Sequence, residues 1–368
     1  MIRRDFLKGV GVAGLATATA ASSFPKPAIA QGGKQLRMIT AWPRNSLGLG
    51  TSVERFAKRV AALSDGALTI RVFAAGEFAP LFKELEKVSA GEIDMYHSFD
   101  SYYQTTSKAF NFFTGVPFGL TAAEHAAWIR FGGGREVWDE LGKQFGIKGF
   151  MAGSTGMQMG GWYNKEVRSL ADYRGLQIRI TGLGGEVVRK LGGTTVSLAG
   201  NEIFPALQSG AIDACEWFGP WVDLSYGLYK VAKYYYYPGF QEPSSTLTVA
   251  IGLKAWETLS AEHKAIIECA ADAENDTVLA EFNQKNTEAL SILMSRHKVT
   301  LRRFGDEVMK ALGEAAGDVV AAAGAADDIS KSVYESFLKF RRNAVVYTKV
   351  TEQAFGDARL LPFRYGKS

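Results

Sequence analysis

Apolar and polar positions alternate along this chain in two rhythms, one near two residues and one near 3.6. Gln35 to Trp42 reads as a strand, and after a glycine-bearing loop Thr51 to Leu63 reads as an amphipathic helix. Leu68 to Phe73 is a second strand, Leu81 to Ala90 a helix that stops at Gly91, and Ile93 to Phe99 a third strand. Helical runs follow at Ala122–Phe131 and Arg135–Phe145, parted by the triple glycine Gly132–Gly134. Strands that alternate with helices predict βαβ units and a largely parallel sheet.

A second set begins at Ile147. Ile147–Gly153 and Met157–Tyr163 read as strands. In Leu176–Ile180 the residues Leu176, Ile178 and Ile180 share one face, and Gln177 and Arg179 the other. Helix Glu186–Leu191, strand Thr194–Leu198, helix Glu202–Ser209 and strand Ala211–Cys215 follow. Strand Leu247–Leu253 is expected to cross back to the first set. A long helix, Ala261 to Arg296, then strand Val299–Phe304 and two more helices complete the pattern. One echo relates the two sets: Val88-Ser89-Ala90-Gly91-Glu92-Ile93-Asp94 parallels Leu207-Gln208-Ser209-Gly210-Ala211-Ile212-Asp213, sharing the Gly, Ile and Asp. Each glycine is placed to end a helix in the left-handed conformation. Ligands of open α/β sheets sit beyond the carboxyl ends of the strands, which here points to Ser98–Tyr103 and Glu216–Trp217.

The first thirty residues read as an address. Arg3-Arg4-Asp5-Phe6-Leu7-Lys8 fits a twin-arginine signal, and Ala28-Ile29-Ala30 is a small-residue cleavage site. The apolar run between them falls short of the ~18 residues that span a bilayer. The expected location is the periplasm. This segment carries +3 of the whole-chain +4, leaving +1 for the remainder. A near-neutral chain without a Lys/Arg cluster argues against nucleic acid as a partner. Cys215 and Cys269 could form one disulfide or remain two buried thiols.

Several chemistries lack their residues. The four histidines form no H-E-x-x-H and no close metal pair, and there is no G-x-S-x-G elbow and no C-x-x-C. Gly182-Leu183-Gly184-Gly185 lacks the third glycine of a dinucleotide fingerprint, so these glycines read as close strand–helix packing. Arg179 is either a solvated arginine or a planar fork that grips a carboxylate. Gln158, between Met157 and Met159, is either a satisfied core amide or a ligand. Glu216 stands among Cys215, Trp217 and Phe218, and Glu242 follows the run Tyr234–Tyr237. If both carboxylates share a cleft with Arg179 and an organic anion, the charge sums to about −2, which a dry site resists. A cation bound by hard oxygens, Ca²⁺ or Na⁺, would resolve it. On that reading the aromatics shape the pocket; on the bland one the tyrosines form a buried strand and the carboxylates a solvated rim.

With these residues in view, the chain resembles the periplasmic solute-binding subunits of tripartite ATP-independent (TRAP) transporters. It is most similar to the branch that binds 2-oxo and 2-hydroxy monocarboxylates with a metal ion. The resemblance rests on Ser154–Trp162, Gly175–Arg179, Ala199–Leu207, Gly210–Trp217 and Tyr234–Gly239, in order over most of the chain. It implies an α/β, two-lobed periplasmic-binding-protein fold with a cleft between lobes and a long spanning helix. The implied division is a signal at 1–30, a first lobe at 31–153 with a crossover strand near 245–260, and a second lobe at 154–244. The long helix and C-terminal helices take 261–368. Arg179 matches the arginine that pairs with the substrate carboxylate. Gln158, Glu216, the Trp217 carbonyl and Glu242 match the positions that hold the metal, Na⁺ or Ca²⁺. Tyr102 and Tyr103 stand where the first lobe would contribute hydrogen bonds. Members of the branch can pair through the C-terminal helices, here Asp327 to Thr348, and deliver ligand to membrane subunits. The stretch Phe240–Ser244 departs from the branch's pattern. The expected function is a non-enzymatic receptor for a pyruvate- or lactate-like acid with a cation. The alternatives are a receptor for a dicarboxylate or sialic acid, or an exported enzyme acting on 2-oxo acids.

Overall fold

The computed structural model describes residues 33–365, so the expected signal segment lies outside the described residues. Among the described residues eleven strands form two sheets, one in each of two lobes. They are β1 Lys34–Thr40, β2 Leu68–Phe73, β3 Met95–Ser98, β4 Ile147–Ser154, β5 Gly161–Tyr163, β6 Gln177–Arg179, β7 Thr194–Val196, β8 Ala214–Cys215, β9 Tyr234–Tyr237, β10 Thr246–Gly252 and β11 Thr300–Arg303. The first sheet has the order β2-β1-β3-β10-β4 and the second β11-β9-β5-β8-β6-β7.

The expectation of a largely parallel sheet needs correction. Strands β1, β2 and β3 are parallel, but β10 runs antiparallel to both β3 and β4. In the second sheet β5 runs antiparallel to β8 and β9. The reason is topological. The chain passes from sheet to sheet three times, at β4→β5, β9→β10 and, through a long helix, β10→β11, and the first two crossings enter their sheets without the helix that a parallel return requires. Four element starts also move by three residues or more. The helix expected from Leu81 begins at Glu84, because Phe82 takes φ 68° and its N–H donates to Glu84 Oε1 at 3.3 Å. The helix expected from Glu186 begins at Gly182 and takes in the glycines. The expected strand Met157–Tyr163 is ordered as a strand only from Gly161, and β8 contains only Ala214 and Cys215.

Two crossing segments and one helix join the lobes. The crossings are tied together where they meet: Thr155 N–H donates to Ser245 O at 3.0 Å, Ser245 N–H donates to Thr155 Oγ1 at 3.1 Å, and the Ser154 and Ser244 hydroxyls lie 2.6 Å apart. The 35-residue helix Ala261–Ser295 packs along β4 and on helix Pro220–Ser225. Its Ile267, Ala270 and Ala271 join the core under the first sheet. Its Val278, Phe282 and Leu293 join a second core that contains residues of both lobes, Trp42 and Phe99 with Trp217 and Phe218. Glu274 is fully buried on this helix, held by Arg55 at 2.7 Å and Arg59 at 3.3 Å. The Phe99 and Phe218 rings meet at 5.8 Å across the cleft, so the lobes are closed on each other. The cysteines are both free, Cys215 buried and Cys269 exposed, so neither the disulfide nor the pair of buried thiols is formed.

Candidate functional site

The direction of β5 explains how distant residues meet. Strands β9, β8 and β6 point one way and β5 the other. The carboxyl ends of β6, β8 and β9 and the start of β5 therefore share one edge of the sheet. Arg179 ends β6, with Cys215 beside it in register, and Glu216 and Trp217 follow β8. Gln158 precedes β5 and Glu242 follows β9, each on one of the two crossings. Gly161 allows the close approach: a Cβ there would lie 2.5 Å from Cys215 O, and its φ of +107° suits glycine. Met159 N–H donates to Phe218 O at 3.0 Å and fixes the Gln158 segment beside Trp217. Gln158 is thus in irregular backbone, where a strand was expected.

Arg179 is 2% exposed, which excludes the solvated reading. Its Nη1 donates to Glu216 O at 2.7 Å and to Glu216 Oε2 at 3.2 Å, and its Nε donates to Leu198 O at 3.4 Å. The guanidinium lies 4.6 Å from the centre of the Trp217 ring. Its Nη2 has no partner among the described residues, so one edge of the fork stays available. Gln158 Nε2 donates to Ser245 Oγ at 2.7 Å and to Thr155 Oγ1 at 3.2 Å. The Ser245 hydroxyl in turn donates to Glu242 Oε2. Gln241 Nε2 donates to Met159 O at 2.9 Å and approaches Gln158 Oε1 at 3.4 Å. Gln241, Gln158, Ser245 and Glu242 therefore form one buried network, and the Arg179–Glu216 pair lies within electrostatic reach of it.

Burial dominates the electrostatics. It pushes the Glu216 carboxyl well above the carboxylate range; Arg179 pulls it down and Glu242 pushes it up. Burial pushes Glu242 up to about 7, against the pull of the Ser245 hydroxyl and Arg179. The solvated-rim reading of the two carboxylates therefore fails. Their surroundings fit a cation. Gln241 Oε1 and Asn111 Oδ1 are buried acceptors with no donor. A Cβ on Gly182 would lie 3.2 Å from Glu242 Oε1 and 3.5 Å from Asn111 Oδ1, so a small hollow there is walled by oxygens. Hard oxygen donors short of positive charge suit Ca²⁺ or Na⁺. Among the described residues no group of three or more His, Cys, Asp or Glu could hold a metal, so amide and backbone oxygens must supply the rest of any cation shell.

The first lobe contributes less than expected. Tyr102 and Tyr103 lie in one 3₁₀ turn, Asp100–Tyr103, and face different ways. Tyr102 stands near the charges: burial raises its phenol, Arg179 lowers it, and Glu242 and Glu216 raise it. Tyr103 turns into the first-lobe core, against Tyr96 and Phe110, and donates to Glu84 Oε2 at 3.2 Å. Its expected hydrogen bond to a ligand is not made available here. The tyrosine run is a strand buried at its centre, Tyr235 and Tyr236, with Tyr234 half-buried and Tyr237 exposed, so the bland reading holds only in part. Tyr235 stacks on Trp162 at 4.0 Å, and both donate to Asp223. The aromatic walls come from elsewhere. A cavity of about 470 Å³ opens beside the network, lined by Trp42, Phe82, Tyr102, Leu198, Trp217 and Tyr226 among others. Trp42 is a strand-end aromatic, a signal the sequence carried. The parts of Asn111, Gln241 and Ser245 had no such signal. His97 and His125 are buried and neutral, pushed down to about 3 and about 4 by burial, and stand apart from the network.

Residues 40–327 match the family described as bacterial extracellular solute-binding protein, family 7 (DctP). A monocarboxylate 2-oxoacid-binding periplasmic protein of Nostoc sp. (strain PCC 7120) is 39% identical over 358 residues, 96% of this chain and 98% of that one. A TRAP transporter solute-binding protein of Bordetella bronchiseptica RB50 superposes with a TM-score of 0.86 at 36% identity, covering 89% of this chain and 97% of that one; its structure is a mixed-occupancy dimer with copurified calcium and picolinate. A TRAP periplasmic solute-binding protein of Pseudoalteromonas atlantica T6c, with bound sodium and pyruvate, superposes at 0.85 with 34% identity over 90% of this chain and 100% of that one.

Proposed function

The chain belongs to family 7 of the bacterial extracellular solute-binding proteins, and from that premise we propose how its site captures a ligand. It is a TRAP transporter solute receptor of the periplasm. Its ligand is a small 2-oxo or 2-hydroxy monocarboxylate, pyruvate- or lactate-like, taken together with sodium or calcium. The observation that carries this reading is one buried guanidinium, Arg179, paired with Glu216 and within electrostatic reach of a second buried carboxylate, Glu242. That set can take an organic anion only with added positive charge. Relatives above 30% identity bind pyruvate with sodium, or picolinate with calcium, which supports the same pairing here.

A bound cation supplies the charge that lets Glu216 and Glu242 stay ionised beside an anion. Gln158, Glu216, the Trp217 carbonyl and Glu242 would hold it. Arg179 offers its unpartnered Nη2 edge to the ligand carboxylate, and Trp217 and Tyr102 shield the pair from water. The apolar cavity beside them receives the ligand's tail. Closure of the lobes over the cleft forms the surface that meets the membrane subunits, and the ligand leaves chemically unchanged.

Among the described residues no helix is long and apolar enough to cross a membrane. The twin-arginine route remains our reading of the first thirty residues. Pairing through the C-terminal helix Asp328–Thr348 is supported by exposed Val346, Tyr347, Val350 and Phe355 at and beyond its end. A thermal-shift screen of organic acids, with and without calcium, tests the ligand class. Pyruvate and lactate should raise the Tm only with a cation present. A larger response to a dicarboxylate or to sialic acid would overturn the ligand assignment, and turnover of pyruvate followed by NMR would overturn the receptor reading.

A further inference from the structure

Asn111 opens the short helix Asn111–Thr114, which packs on β10 in the first lobe. Its side chain is completely buried. Nδ2 donates to Lys108 O at 3.0 Å. That bond sets the amide's orientation, because a flip would press Oδ1 against a second acceptor. Oδ1 is left without a donor, an arrangement that costs free energy unless something positive or protic meets it.

What Oδ1 faces is specific. It borders the hollow beside Gly182 at the start of helix Gly182–Lys190 in the second lobe. Glu242 Oε1 borders the same hollow, with Ser101 Cβ at its edge. Gly182 has φ +62°, and a Cβ there would crowd Glu242 Oε1 at 3.2 Å and touch Asn111 Oδ1 at 3.5 Å. One wall thus comes from the first lobe, one from a crossing segment and the floor from the second lobe. The ion pair of Lys108 with Glu186 joins the same two surfaces, so the walls come together in the closed form.

We propose that Asn111 Oδ1 is a further oxygen of the cation site, contributed across the cleft by the first lobe. The inference rests on the reading above that Glu242 holds a cation. Neither wall of the hollow carries a proton donor when Glu242 is ionised, and a hard cation is the occupant that both oxygens favour. Asn111 thereby takes the first-lobe place in the site that Tyr103 does not fill.

The test uses metal-stripped protein without organic acid and calcium as the probe. Calcium affinity is read by calorimetry, and the calcium-induced rise in Tm by thermal unfolding. Asn111→Ala should weaken calcium binding by about 10–100-fold and shrink the rise in Tm. Asn111→Asp places a charged oxygen at the same point. It should lower the Tm of the stripped protein and enlarge the calcium-induced rise beyond that of the unaltered protein. An amide with only a structural or water-binding part would lower stability in both variants and leave the calcium response unchanged, and that result would overturn the proposal. If the unaltered protein itself ignores calcium and sodium, the cation reading of the whole site fails with it. The two failures are therefore distinguishable.

Discussion

After Gly91 the chain runs through Ile93 and Asp94 into β3; after Gly210 it runs through Ile212 and Asp213 into β8. Both glycines adopt the left-handed conformation, with φ of 76° and 74°. Asp94 accepts the Arg37 N–H at 2.7 Å and returns its own N–H to Arg37 O; Asp213 does the same with Gln177, accepting at 3.1 Å. The scaffold of the two lobes is the same up to this point, and the strand ends then diverge. Beyond β3 stands Asp100, fully buried, bonded to the Tyr96 hydroxyl at 2.9 Å and without an ion pair among the described residues. Burial pushes it up to about 7. Beyond β8 stands Glu216, equally enclosed but joined to Arg179 and Trp217. One lobe stows an acid that can stay neutral and rigid. The other stows an acid beside a guanidinium, and there the proposed ligand and cation would bind.

The largest expected effect separates these two ends. Arg179→Ala should cost ~2–5 kcal/mol of organic-acid affinity by calorimetry, since it leaves buried carboxylates unpaired. Asp100→Asn should leave that affinity unchanged and move only the Tm. Equal losses in both variants would erase the distinction.

Next comes pH. A carboxyl held above its usual pKa makes the folded state bind the extra proton, so stability is highest on the acid side and falls as pH rises. For Glu242 the window runs from its ordinary 4.5 to about 7, worth about 3 kcal/mol at full titration. The cation-free protein should therefore lose stability from pH 5 to pH 8 in thermal melts. Saturating calcium should remove the share owed to Glu216 and Glu242. The share owed to Asp100, and to Asp223 with its carboxyl at about 6, should persist in calcium and disappear in Asp100→Asn and Asp223→Asn.

The paired glycines offer a control. A Cβ at either Gly91 or Gly210 would meet nothing within 4 Å, so only the left-handed backbone opposes it. Gly91→Ala and Gly210→Ala should each cost about 1–2 kcal/mol of stability by denaturant unfolding. A clear inequality would show that the two scaffolds are less alike than their geometry. The smallest effects concern the adjacent tyrosines. Tyr102→Phe should weaken ligand binding by about 1 kcal/mol, whereas Tyr103→Phe should spare binding and cost a similar amount of stability through Glu84.

How much of this was legible in the sequence follows from how local each cause is. The strand ends carrying Arg179 and Glu216 could be read because alternation and a helix-ending glycine are local signals. The two-lobed fold and the spanning helix were legible from the order of elements and the resemblance. Strand direction was not: whether β5 and β10 run with or against their neighbours depends on where each crossing re-enters a sheet. Gln158 looked like a strand residue because Met157 and Met159 flank it, yet Met157 is exposed and the backbone straightens only at Gly161. Tyr102 and Tyr103 could not be told apart, since a 3₁₀ turn sends neighbours in different directions. Asn111 and Gln241 gave no signal, because an acceptor without a donor is a property of the packed chain alone.

On the proposed function, positive charge from Arg179 and from a cation together make this site able to hold an organic anion. Calorimetric titration of pyruvate into metal-stripped and calcium-loaded protein tests it most directly. The account predicts tight binding with calcium and a large loss without it. Equal affinity in the two titrations would contradict it.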